Sequence, residues 1–163
     1  MIFVTVGTHE QSFNRLLEEI DLYAKERNIS KQDIVVQTGY SDYQLKYVTG
    51  EKMLSAADMQ AYYEKADLIL THGGPGSMFP AWILGKPIIA IPRQVQFNEH
   101  VDNHQVEFCK FAERKGKVRC VTDIKQLSRE IDDVLSSFHS ENHKSKTNEF
   151  IQVFQKEIET LVK

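Results

Sequence analysis

The residues best suited to chemistry lie in one stretch, Thr71-His72-Gly73-Gly74-Pro75-Gly76-Ser77. Its glycines let the backbone turn sharply and approach a ligand with no Cβ in the way, and Pro75 fixes one φ among them. Ser77 is a candidate cap for a helix over about 78–84. N–H groups left free at such a helix start, together with the helix dipole, favour an anion, most often a phosphate. The same residues also suit a tight strand-to-helix turn that binds nothing, but glycine, His72 and Ser77 concentrated in so short a run favour the ligand. A second polar group, His100, Asn103 and His104, falls in the first turn of a helix predicted over about 100–115, on which Gln105 lies at helical spacing with Val101, Phe108 and Ala112. A rigid element can aim such side chains at a ligand's hydroxyls, although capping or surface use would also account for the histidines. His100 and His104 are spaced for one helix face. Glu107 is the only obvious third ligand and sits on the same helix, so no zinc site is expected.

Loops of this kind need strands behind them. Leu68-Ile69-Leu70 reads as a strand buried on both faces, and Ile88 to Ile91 as the next, after a helix stop at Gly85-Lys86-Pro87. That makes a right-handed βαβ unit with its glycine loop at the carboxyl end of a strand. Ile2 to Val6 is the first strand. It runs into Gly7-Thr8-His9-Glu10 and a helix over 12–27, striped by Phe13, Leu16, Leu17, Ile20 and Tyr23. Taken alone, His9 reads equally as an exposed loop histidine, and Glu10 as a first-turn acid favoured by the helix dipole. A second strand is expected over 33–37 and a weak third over 45–48. Asp58 should cap a helix to about Lys65, with Met59, Tyr62, Tyr63 and Ala66 facing inward. A last strand over 118–121 precedes a helix capped by Thr122 or Asp123 and running to Phe138. The alternation predicts a doubly wound parallel α/β sheet in residues 1–138. Residues 139–148 are polar and read as a linker, and 149–163 as an amphipathic helix. Its apolar face, Phe150, Phe154, Ile158 and Leu161, either docks on its own sheet or reaches to a partner.

The run His72-Gly73-Gly74-Pro75-Gly76-Ser77, then Gly85-Lys86-Pro87, Pro92-Arg93 and Asn103-His104-Gln105, resembles the nucleotide-sugar half of glycosyltransferase family 28. The opening Gly7-Thr8-His9-Glu10-Gln11 and the Glu99-His100-Val101 that precedes Asn103 are similar to its short bacterial polysaccharide-synthesis members. The resemblance runs from Phe3 to about Val121. It implies a Rossmann-like fold, the donor-binding half of a GT-B glycosyltransferase. It places a UDP diphosphate between Gly7-Thr8 and His72, Gly73, Gly74, Gly76 and Ser77. His104 and Gln105, with His100 and Asn103, would face the hexose, galactose or glucose being favoured. Met53 and Leu54 would meet the uracil, although a loop pair filling the sheet edge is an equal reading. Relatives usually carry an acid for the ribose hydroxyls where this chain has Pro80, which offers no acceptor. No Asp-x-Asp ends a strand, so transfer with inversion is expected without a metal or other cofactor, and Asp132-Asp133 reads as solvated surface.

Composition bounds the rest. With 163 residues, 41% hydrophobic and 26% charged, the chain is expected to be one soluble domain, room enough for the donor half alone. A net charge of -3 gives no basic field for nucleic acid. Cys109 and Cys120 lack metal spacing and read as free thiols in a reducing compartment. The N-terminus lacks the features of a signal peptide, and no apolar run nears the roughly 20 residues of a membrane span. The expectation is a cytoplasmic chain recruited to the inner membrane face by a membrane-anchored acceptor-binding subunit, which would present a lipid-linked saccharide in capsular or exopolysaccharide synthesis. Self-association is compatible with it. The general base would belong to that partner, His9 and Glu10 being the candidates within this chain. A non-catalytic donor-binding or scaffold subunit is the competing reading, and an unrelated nucleotide-binding module a third.

Overall fold

Each short apolar run becomes a parallel strand, because the helices that follow cover both faces of the sheet. The computed structural model describes residues 1–138 together with Lys156. The expected linker over 139–148 and the helix face of Phe150, Phe154, Ile158 and Leu161 lie outside the described residues. In chain order the elements are β1 (Ile2–Thr5), α1 (Asn14–Glu26), β2 (Ile34–Gln37), β3 (Thr49–Glu51), α2 (Ala56–Lys65), β4 (Leu68–Thr71), α3 (Pro75–Ile83), β5 (Ile88–Ala90), α4 (His104–Arg114), β6 (Arg119–Cys120) and α5 (Leu127–Phe138). The strands pair in the order β3-β2-β1-β4-β5-β6, all parallel. The order reverses between β1 and β4, where doubly wound sheets open a crevice for ligands. Thr5 stands opposite Thr71, and Thr71 opposite Ala90, so the loops after β1, β4 and β5 leave the sheet at one level.

Side chains alternate between two core layers, as the pleat requires. Val4 and Leu70 pack with Leu16, Leu17 and Ile20 of α1 and Leu127 and Ile131 of α5. Phe3 and Ile69 pack on the other side, with Tyr63 of α2, Met78, Ala81 and Trp82 of α3, and Phe108 and Ala112 of α4. Among the described residues no helix is long and apolar enough to cross a membrane.

Five local expectations are corrected. The third strand forms at Thr49–Glu51 and not over 45–48, because the buried Asp21 carboxylate takes the N–H groups of Lys46 (3.1 Å) and Tyr47 (2.7 Å) that a ladder would need. Ser55 caps α2, with Asp58 three residues inside: the Ser55 hydroxyl accepts from Asp58 N–H at 3.0 Å and donates to its carboxylate at 2.7 Å. α3 begins at Pro75, three residues before Met78. Proline loses nothing at a position whose N–H has no helical partner, so Gly74 becomes the cap and Ser77 joins the first turn. α4 begins at His104 and not His100, because Asp102 accepts from His104 N–H at 3.0 Å and serves as the stop for the incoming loop. Val101 consequently lies outside the helix and is exposed. Asp132 is not idle surface: it takes the Tyr23 hydroxyl (2.9 Å) and the Arg27 guanidinium, pinning α5 to α1.

Candidate functional site

The glycine loop and the loop after β1 meet around one imidazole. His72 follows the end of β4, and its ring lies between Gly7 and Gly74. A Cβ at Gly7 would stand 2.5 Å from His72 Nε2, and one at Gly74 would collide with the same ring. Gly7 also holds φ +75°, which only glycine adopts cheaply. Gly73 holds φ +91°, and a Cβ there would meet Cys109 Sγ at 2.5 Å and the Pro92 backbone at 3.3 Å. Gly76 differs from these. It is exposed in the first turn of α3, and a Cβ built there meets nothing within 4 Å. No side chain caps this helix start, so its dipole faces the open space over Gly76.

His72 Nε2 lies 3.0 Å from Ser77 Oγ and fixes that hydroxyl on the first turn of α3. Burial first, and the Arg93 charge second, hold the imidazole pKa down at about 4, while Gln105 opposes the shift. That contact with Gln105 is loose, since Nδ1 makes no hydrogen bond of normal geometry. The ring is therefore neutral at pH 7.

A stability prediction follows. In the unfolded chain His72 takes its proton near 6.5, but in the folded chain only near 4, so between these values the unfolded state binds more protons. The contribution is intact above pH 6.5 and is lost as pH falls towards 4, by about 3 kcal/mol in all. The urea midpoint should fall across that window, and His72→Gln should flatten part of the slope. Identical profiles for the two proteins would rule the cause out.

The loops are tied down by Arg93, a fully buried cation for which the sequence reading assigned no role. Its guanidinium donates to the carbonyls of Gln11 (2.6 Å), Glu99 (3.0 Å) and Val6 (2.8 Å) and sits 5.0 Å over the Phe13 ring. Burial lowers its pKa to about 10, and the Glu99 carboxylate works against that fall, so it remains charged at pH 7. Glu99 is itself buried and takes a two-pronged bond from Arg15, at 2.8 and 3.0 Å. The position of Pro92-Arg93 directly after a strand end was the only sequence signal for this clamp.

The remaining predicted residues fall into place unequally. Gln105 accepts from Arg93 N–H at 3.3 Å, which ties it to the loop after β5. Asn103 turns inward on its own loop, accepting from Val95 N–H at 3.1 Å. His104 is exposed and pairs with Asp102 at 3.2 Å; His100 meets the same carboxylate at 3.4 Å. The His100 ring also packs against His9, centroids 4.4 Å apart and planes tilted by 45°. Thr8 and Glu10 are exposed beside it. His9 Nδ1 accepts from Gln11 N–H at 3.1 Å, so the neutral ring carries its proton on Nε2 and presents a donor. For His9 to act as a base through Nε2, that bond would have to break. Met53 is exposed, and Gln37 at the end of β2 links its loop to Gly7 through the Lys52 and Gly7 carbonyls, at 3.2 and 3.4 Å. Leu54 packs partly into the core behind it. Pro80 lies inside α3, where it offers a ligand no side-chain acceptor. Among the described residues no three His, Cys, Asp or Glu side chains converge as metal ligands.

Comparison with known proteins agrees with this architecture. In the solved glycosyltransferase of kitacinnamycin, 83% of this chain matches 34% of that chain at 18% identity, with a TM-score of 0.61. MurG of Acinetobacter baumannii matches over 94% of this chain and 49% of its own, at 17% identity and a TM-score of 0.55. These likenesses establish the fold that the strand order already indicates. A curated UDP-N-acetylglucosamine--N-acetylmuramyl-(pentapeptide) pyrophosphoryl-undecaprenol N-acetylglucosamine transferase from Solibacter usitatus (strain Ellin6076) is 33% identical over 92 residues. That match takes in 56% of this chain and 24% of the relative, about a quarter of its length. The model of the glycosyltransferase family 28 C-terminal domain matches residues 1–161, and the chain belongs to that family.

Proposed function

We propose that this chain is the donor-binding subunit of an inverting UDP-hexose glycosyltransferase. The observation that carries the reading is the meeting of the Gly7-Thr8 and His72–Ser77 loops at the strand-order reversal, beside an uncapped and unobstructed helix start at Gly76. The diphosphate would lie there, held by backbone N–H groups and the Ser77 hydroxyl. These dipoles would stabilise the charge that develops as UDP leaves, with no divalent metal required. The hexose, galactose or glucose, would extend towards His104, Gln105, His100 and Asn103, and the uracil towards Met53 and Leu54. The acceptor would be a lipid-linked saccharide of capsular or exopolysaccharide synthesis, presented with the general base by a membrane-anchored partner subunit.

UDP, measured in EDTA, is expected to raise the melting temperature, whereas ADP and GDP at equal concentration leave it unchanged. At 100 times its dissociation constant, UDP should add about 2.7 kcal/mol. A response without preference among the three nucleotides would defeat the donor assignment.

For the partner, the evenly spaced Phe150, Phe154, Ile158 and Leu161 are the proposed contacts. Phe154→Asp is expected to reduce recovery of the membrane-bound partner in a pull-down and to leave the UDP shift in place. Full recovery of the partner by this variant would remove the assignment.

A further inference from the structure

A cavity of about 520 Å³ opens beside the donor loops, between the β1–α1 connection and the loop that follows β5. Its walls include Glu10, Gln11 and Arg15 on one side and Phe97, Asn98 and Glu99 on the other. The two walls are cross-linked: Gln11 Nε2 donates to the Asn98 carbonyl at 3.1 Å, and Arg15 grips Glu99. The size falls within the roughly 300–1,000 Å³ of small-molecule sites. Nothing proposed above for the donor uses it.

We propose that this cavity is a saccharide subsite that seats a neutral sugar of the acceptor. This rests on the glycosyl-transfer reading and adds to it a binding role for the donor chain toward the acceptor. Three observations point to a sugar. Phe97 is 51% exposed, with the Arg15 guanidinium 4.7 Å from its ring, which leaves an aromatic platform for the C–H face of a pyranose. Two polar atoms in the walls, Gln11 Oε1 and Arg15 Nη1, are buried without a hydrogen-bond partner. One is an acceptor and the other a donor, so the walls keep hydrogen-bonding capacity that their own cross-links leave unused. Asn98 holds φ 55°, a left-handed conformation that asparagine adopts readily, and its carbonyl is held by Gln11 so that the two walls face one another.

Charge gives an anion no net attraction: Arg15 neutralises Glu99, and the exposed Glu10 carboxylate offsets the Arg93 guanidinium behind the walls. Position fits an acceptor. Gln11 donates its N–H to His9, which follows Gly7-Thr8, so the subsite begins where the proposed diphosphate loop ends.

Saturation-transfer NMR on the whole chain, saturated with UDP, tests the proposal with methyl glucoside and methyl galactoside at millimolar concentration. At least one probe should show ring-proton transfer that Phe97→Ala reduces several-fold and His104→Ala leaves unchanged. Phe97 is half exposed, so its variant should fold, and a melting curve checks this. No transfer from wild type, or equal transfer from Phe97→Ala, overturns the subsite. So does loss in His104→Ala, which would place the probe in the donor's hexose site. The UDP melting shift reads the donor site separately. If it is present without glycoside transfer, the subsite alone fails; if both are absent, the donor reading fails as well.

Discussion

Arg93→Met is expected to lower the free energy of unfolding by about 3–5 kcal/mol. The guanidinium is the buried donor for three carbonyls, those of Val6, Gln11 and Glu99, drawn from two different loops. A buried polar group left without a partner costs about 1–3 kcal/mol, and methionine supplies no donor to any of them. Against a total stability of about 5–15 kcal/mol, that loss removes a large part of the margin. Arg93→Lys keeps the charge but not the planar fork, and should fall between the two. Urea denaturation of the three proteins measures this. A loss of under about 1 kcal/mol for Arg93→Met would mean that water replaces the guanidinium and that the loops hold themselves.

Gly76→Ala should move stability and donor binding in opposite directions. A Cβ at this position meets nothing within 4 Å, and alanine in a helix is favoured over glycine by up to about 1 kcal/mol. The melting temperature should therefore hold or rise slightly. The open space is also where a phosphate would approach the backbone, and a methyl group there pushes it away from the N–H groups. Losing one well-placed donor to developing charge costs about 10²–10³ in turnover in comparable sites, so transfer by the assembled pair should fall on the order of 100-fold. Calorimetric titration with UDP and a turnover assay decide it. Unchanged turnover in a variant of normal stability would remove the phosphate from α3.

What the sequence made legible follows the physics of burial. β1, β2, β4 and β5 are runs such as Ile2-Phe3-Val4 and Leu68-Ile69-Leu70, apolar on both faces, and no other element fits them. The α1 stripe of Phe13, Leu16, Leu17, Ile20 and Tyr23 is buried as its spacing requires. The glycine loop announced itself because two of its positions, Gly73 and Gly74, need either a positive φ or the absence of a Cβ. Buried charge was not legible. Nothing in the sequence marks Arg93, Glu99 and Asp21 as buried, because most of the carbonyls and N–H groups that pay for their burial come from segments distant in sequence. Helix starts were misplaced for a related reason: a proline at the first position of α3, and an aspartate just ahead of α4, decide the start by local bonds that apolar periodicity does not record.

His72 constrains how this loop can diverge. Its ring fills the room that side chains at positions 7 and 74 would occupy, so the three positions do not vary independently. At position 74 the backbone lies at φ -78°, which any residue can adopt, and only the imidazole forbids a side chain. Replacement of the histidine by a small residue must come first, and only then does a larger residue at 74 become neutral. Position 7 gains no such freedom, since its φ of +75° holds it to glycine whichever residue is its neighbour. Lineages that have lost the histidine should thus show variation at one glycine and none at the other, an asymmetry written by a single ring.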